Sequence, residues 1–137
     1  MTTTLTIWLI TLGLFLTHQL EEVVYPIAAW SQVHPRPGWR RWTAWLSRSP
    51  LASRDLRIRV ATVGGQAGGV ILLGIATSGS LIATQVAATV LITVLMLAFV
   101  MHIAASVLTR SAMPGLATSI LPGVPGAVML LTYVWTS

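Results

Sequence analysis

The chain has 137 residues, of which 55% are hydrophobic and only 8% charged, and its mean hydropathy is +0.81. A soluble domain is about a quarter charged, so a soluble globular enzyme would have too few charges for its surface. Disorder, which needs low hydrophobicity and high charge, is excluded by the same numbers. The cysteine count of 0 removes disulfide frameworks, cysteine–zinc sites and thiol catalysis.

Four apolar spans follow in chain order, roughly residues 5–28, 58–77, 81–109 and 116–136. Each meets the ~20 residues that cross ~30 Å of hydrocarbon at 1.5 Å per residue, and a lone span in lipid must satisfy its backbone as a helix. The expected fold is all-α: one transmembrane domain over residues 1–137, a polytopic bundle of four helices with a basic linker over residues 31–57. A cleaved signal peptide is the weaker reading of the first span, because it lacks a basic start and His18, Glu21 and Glu22 interrupt its long apolar run.

All of the basic residues are arginines; all but Arg110 lie between Arg36 and Arg59. In the linker, Trp39, Trp42 and Trp45 with Leu46 alternate with Arg40, Arg41 and Arg48. That spacing fits a short interfacial helix, tryptophans down and arginines toward phosphates. An ordinary juxtamembrane aromatic belt is the plainer account, and a gating lid the weaker one. The pI of about 11.5 is therefore no nucleic-acid signal, since the basic stretch abuts a membrane span and leaves no room for a recognition fold. The positive-inside rule makes the linker and Arg110 cytoplasmic and both termini external, in a plasma or inner membrane.

Gly64, Gly65, Gly68 and Gly69 in the second span form two small-xxx-small pairs. Close packing within the molecule is the favoured use, a homodimer through this span the alternative. Pro122 and Pro125 are expected to kink the fourth span and free carbonyls that line a cavity.

The first span carries His18-Gln19-Leu20-Glu21-Glu22. At about 100° per residue, Glu21 falls about 60° to one side of His18 and Glu22 about 40° to the other. Thr11 and Tyr25 continue this polar stripe, which should face the bundle interior. By helical rise Glu22 lies roughly 9 Å inside residue 28, His18 roughly 6 Å deeper, and His102 about 10 Å short of Thr109. With the third span running back toward the cytoplasm, His102 reaches a similar depth, Ser106 and Thr109 continue its face, and Arg110 caps it. A shared site of His18, Glu21, Glu22 and His102 is geometrically allowed. Two adjacent glutamates in hydrocarbon cannot both be ionised cheaply, so a proton, a nearby His or Arg, or a metal must balance them. Proton sharing gives a matched acid and base; a metal gives a mixed His/carboxylate site. A polar cluster that only fixes helix packing is the bland alternative.

The run His18-Gln-Leu-Glu21-Glu22 resembles the signature of the HXXEE family of small bacterial membrane proteins. His102, then Arg110-Ser-Ala-Met-Pro114-Gly115-Leu-Ala-Thr118 and Pro122, resemble its second block, a His followed by Arg-x-x-x-Pro-Gly and a later Pro. The resemblance spans the whole chain and implies a polytopic membrane fold, with His18, Glu21, Glu22, His102 and Arg110 as site residues. It implies no particular activity.

Three function classes compete. The first is a membrane-embedded enzyme, without metal, performing isomerisation, cyclisation or epoxide opening on a lipophilic substrate such as an isoprenoid. Its catalytic residues would be Glu21, Glu22, His18, His102, Arg110 and Tyr25. The second is a site for a divalent transition metal on His18, Glu21, Glu22 and His102. The third is a small transporter or accessory subunit, disfavoured because the polar residues cluster at one depth and the outer half offers mainly Thr and Gln85.

Overall fold

A computed structural model of the protein describes residues 3–27, 29–30 and 48–137. Among the described residues there is no strand. Four helices, α1 (Thr3–Val24), α2 (Leu56–Thr77), α3 (Leu81–Thr109) and α4 (Leu116–Thr136), are each long and apolar enough to cross a membrane. The interfacial helix expected around Trp39, Trp42 and Trp45 lies outside the described residues.

Local chemistry sets the helix ends. Pro26 lacks an N–H and disfavours a helical Tyr25, so α1 stops at Val24, earlier than the apolar run does. Asp55 caps α2, its Oδ1 accepting from the Arg57 N–H at 2.8 Å, and Ser80 caps α3 by accepting from the Ala83 N–H at 3.2 Å. Helix α3 ends on Arg110 in the left-handed region (φ 54°). Helix α4 is broken at Leu121, whose φ of −148° and ψ of 117° are extended, immediately before Pro122. The kink expected from the prolines therefore falls at Pro122. Pro125 instead sits in the first turn of the resumed helix, where its missing N–H costs nothing.

The core is built by three of the four helices. Ile7, Leu14 and Phe15 of α1 meet Ala88, Ile92, Leu95 and Phe99 of α3 and Ala127, Leu130 and Val134 of α4. Helix α2 stands against the side of this trio and packs more extensively along α1 than along α3. Outward-facing Leu72, Ile75, Ile82, Leu97, Val107 and Met129 are all exposed, a belt that water would not tolerate and hydrocarbon would. Length and composition thus mark a multi-pass membrane protein.

The glycines of α2 correct the sequence reading. A Cβ added at Gly64, Gly65, Gly68 or Gly69 would meet nothing within 4 Å, so these pairs do not serve packing within the described residues. The close approach belongs to Gly74, where a Cβ would come 3.1 Å from the Trp8 ring. The Trp8 indole N–H then reaches the Thr77 hydroxyl at 3.1 Å, tying α2 to α1.

Candidate functional site

His18 and Glu22 lie one helical turn apart on the buried face of α1, and His102 faces them from α3. All three are nearly inaccessible, at 2%, 6% and 1% exposure. His102 Nε2 is 2.9 Å from Glu22 Oε1, and His18 Nε2 is 3.7 Å from the same oxygen. The two imidazoles meet edge to face with centroids 4.9 Å apart. Phe99 meets His18 in the same way, also at 4.9 Å. The two imidazoles and the Glu22 carboxyl therefore share one small space, which the depth argument allowed and did not by itself require.

Glu21 goes elsewhere. Its Oε2 accepts from the Thr118 N–H at 2.9 Å and the Thr118 hydroxyl at 2.7 Å, and its Oε1 accepts from the Ala117 N–H at 3.4 Å. These are first-turn amides of α4, which have no partner inside their own helix. Because successive residues on a helix are rotated by about 100°, the adjacent glutamates serve two different neighbours: Glu22 the histidines, Glu21 the start of α4.

Thr118 joins the two halves. His18 Nδ1 lies 3.2 Å from the Thr118 oxygen. The single hydroxyl proton is directed to Glu21, so the threonine oxygen accepts from His18 Nδ1–H. In that tautomer an uncharged His18 presents a bare Nε2 to Glu22 Oε1, and His102, when it carries its proton on Nε2, offers it to the same oxygen. The arrangement asks for one more positive charge between His18 and Glu22, a proton or a cation. His102 Nδ1, on the far side of its ring, has no hydrogen-bond partner among the described residues.

The turn between α3 and α4 closes the site. The Met113 N–H is held by the Ser106 hydroxyl at 3.0 Å, which carries the chain through Pro114 to Gly115 at φ 89°. A Cβ on Gly115 would lie 2.7 Å from His102 Cε1 and Nδ1 and 3.0 Å from His18 Cε1. Only a glycine allows the backbone to lie on both rings.

A cavity of about 610 Å³ opens beside the cluster. Its walls come from α1, α3, Gln66 of α2 and the 3-10 turn Pro50–Ala52. His18, Gln19, Glu22 and His102 line it together with Phe15, Leu91, Val94, Leu95, Ala98 and Met101. It fills the gap left because α2 leans on α1.

Of the residues expected in the site, the structure brings together His18, Glu22 and His102. It sets Glu21 behind Thr118 and leaves Tyr25 and Arg110 outside. Tyr25 is 63% exposed and borders a separate cavity of about 390 Å³ with Glu21, Trp30 and Met113. Arg110 is exposed and ends α3. Thr11 is buried and bonds back to the Ile7 carbonyl at 2.7 Å. Sequence reasoning missed the work of Thr118, Gly115, Gln19 and Phe99. The spacing of Thr118 from Gly115 within the Pro-Gly segment was the one visible hint; Phe99 reads as an ordinary core residue.

The family model described as a protein of unknown function with HXXEE motif matches residues 8–130. The chain belongs to the HXXEE family. The match runs from Trp8 at the start of α1 to Leu130 in α4, so it covers both halves of the His/Glu cluster and the turn that closes it. In this HXXEE protein the motif letters divide into two tasks, a His and the second Glu at the cavity and the first Glu on α4. No curated protein and no solved structure matches the chain.

Proposed function

We propose that the protein is a membrane-embedded enzyme that performs acid–base chemistry, an isomerisation, cyclisation or epoxide opening, on a lipophilic substrate such as an isoprenoid. The observation that carries this reading is the buried Glu22 carboxyl, 2.9 Å from one imidazole and 3.7 Å from another, on the wall of an apolar cavity. A proton on Glu22 supplies the positive charge that the His18 tautomer calls for. Glu22 then delivers that proton to an alkene, epoxide or carbonyl, and the bare Nε2 of His18 takes one back from the neighbouring carbon. Such a pairing of acid and base is what proton-transfer catalysis uses. His102 holds the Glu22 oxygen, and Thr118 with Glu21 holds the His18 tautomer; neither of the latter two need touch substrate. The apolar walls keep water from a developing cation. The positive-inside rule sets the cluster toward the cytoplasmic leaflet, with the arginine linker inside the cell.

One observation favours a second reading. The ligand atoms of His18, Glu22 and His102 all lie within 4.8 Å of one another, a mixed nitrogen and oxygen set that suits zinc, iron or manganese. Against it, a metal-bound histidine gives its other N–H to a partner, and His102 Nδ1 has none among the described residues.

Two measurements test the proposal. Lipid extracts of cells producing the wild-type chain, Glu22→Gln or His18→Gln are compared by chromatography and mass spectrometry for an isomerised, cyclised or ring-opened lipid of unchanged mass. Removing the acid or base should lower its formation by about 10²-fold or more. An unchanged lipid profile in both variants defeats the enzymatic reading. Elemental analysis of the purified protein separates the two readings: a stoichiometric metal that is lost in His18→Ala and Glu22→Ala establishes the metal centre.

A further inference from the structure

The cavity is polar at one end and apolar at the other, and that polarity says what enters it. Along α3 its lining runs from Leu91 to His102, about 16 Å by helical rise. The deep end is lined by Leu91, Val94, Leu95 and Phe15, none of which can hydrogen-bond a ligand, and Gln66 is the one polar residue that α2 adds to the wall. The opposite end is bordered by Arg48 and Ser49 of the linker. Arg48 is exposed, and no hydrogen bond or ion pair engages its guanidinium among the described residues. Among the described residues no carboxylate oxygen, those of Glu22 included, lies within 4.0 Å of it. Between the two ends sits Gln19, only 8% exposed, whose Oε1 has no partner among the described residues. An arginine without a counter-charge at the rim of an apolar slot is a site for an anion carried on a hydrocarbon chain.

We propose, building on the acid–base reading, that the substrate is a single-chain amphiphile with an anionic head, phosphate or carboxylate. The head rests on Arg48 at the cytoplasmic interface, the chain runs toward Leu91, and the bond that reacts lies between them beside Glu22. The volume of about 610 Å³ lies within the range of small-molecule sites, about 300–1,000 Å³, and suits one chain. Gln19 supplies an acceptor for a donor group on that chain, so a hydroxyl near the reacting carbon is favoured. This geometry also explains why the His/Glu cluster lies nearer the Arg48 end of the slot: the head fixes the register and the chain brings its reactive segment to a set depth.

Equilibrium binding to the full-length protein in nanodiscs, set against empty nanodiscs, tests this directly. The probes are hexadecyl phosphate, hexadecanoate and hexadecanol, which share a chain and differ in the head. The phosphate and the carboxylate should bind about tenfold tighter than the alcohol, the advantage of a charge-assisted bond. Arg48→Gln should erase that advantage while leaving the alcohol's affinity in place. Val94→Trp, which intrudes on the apolar end from a lipid-exposed position, should weaken all three probes alike. Equal binding of the alcohol and the anions overturns the proposal, as does an Arg48→Gln variant that loses every probe equally or a Val94→Trp variant that loses none. Binding at equilibrium needs no turnover. Its failure therefore bears on this inference alone, while an unaltered lipid profile in Glu22→Gln bears on the acid–base reading.

Discussion

An alanine at position 115 would bring its Cβ to 2.7 Å from the His102 ring, closer than non-bonded atoms approach. It would also place a side chain at φ 89°, a left-handed conformation that costs a non-glycine residue about 1 kcal/mol. Overpacking adds about 1–3 kcal/mol. Gly115→Ala should therefore lower the thermal midpoint in detergent by an amount corresponding to about 2 kcal/mol or more, and should push His102 away from Glu22. Gly64→Ala is the matched control, since a Cβ there meets nothing within 4 Å and should leave the midpoint unchanged or slightly raised. Equal behaviour of the two variants would mean that the turn does not press on the imidazoles. At this scale the sequence was partly legible. His18, Glu22 and His102 could be placed at one depth because helical rise is fixed by backbone geometry. The angle between Glu21 and Glu22 was legible too, but which neighbour each would meet was not, because that depends on how α1 is rotated against α3 and α4 by its core residues Ile7, Leu14 and Phe15. Tyr25 and Arg110 sit where helices end, and there periodicity no longer says which way a side chain points.

Helix ends pose a second problem, one of unpaired carbonyls. Helix α1 stops short at Tyr25 and Pro26, which leaves the Val23 carbonyl without a helical donor. Arg59 of α2 answers it: its Nε donates to the Val23 oxygen at 2.9 Å and one terminal nitrogen donates to the Ser53 oxygen at 2.6 Å. The side chain is 7% exposed, although it stands in the first turn of an apolar helix. One residue thus joins α1, the turn before α2, and α2 itself. Hydrogen bonds from a charged donor contribute about 1.5–3 kcal/mol, so Arg59→Ala should lower the midpoint by a comparable amount. Arg59→Lys should recover only part of the loss, because an ammonium lacks the fork that reaches two carbonyls. Full rescue by lysine would show that charge alone matters. Nothing in the pattern distinguished Arg59 from its neighbours Arg54 and Arg57; the clue was only that it lies deepest in the apolar run. The glycine pairs of α2 misled for a related reason. Small-xxx-small spacing says that a face permits close approach, and it does not say whose backbone arrives.

At the scale of the molecule, the cavity follows from an unequal division of labour. Helices α1, α3 and α4 share one core, while α2 adheres to α1 and leaves its flank toward α3 unfilled. Four apolar spans were plain from composition, but this gap was not, since the hydrophobic pattern of α2 does not tell α1 from α3. Which leaflet the gap serves depends on orientation. The His/Glu cluster lies at the end of α1, α3 and α4 that also bears Arg110, and the expectation from the positive-inside rule is that this end faces the cytoplasm. The absence of cysteine makes that orientation easy to measure. Gly79→Cys lies in the turn between α2 and α3, where a Cβ meets nothing within 4 Å, and Ala112→Cys lies in the exposed turn after α3. In intact cells an impermeant maleimide should label Gly79→Cys alone, and Ala112→Cys should react only after lysis. The opposite pattern would move the cavity mouth and Arg48 to the outer leaflet. Any anionic amphiphile would then have to arrive from outside the cell, and a substrate made by cytoplasmic enzymes would be excluded.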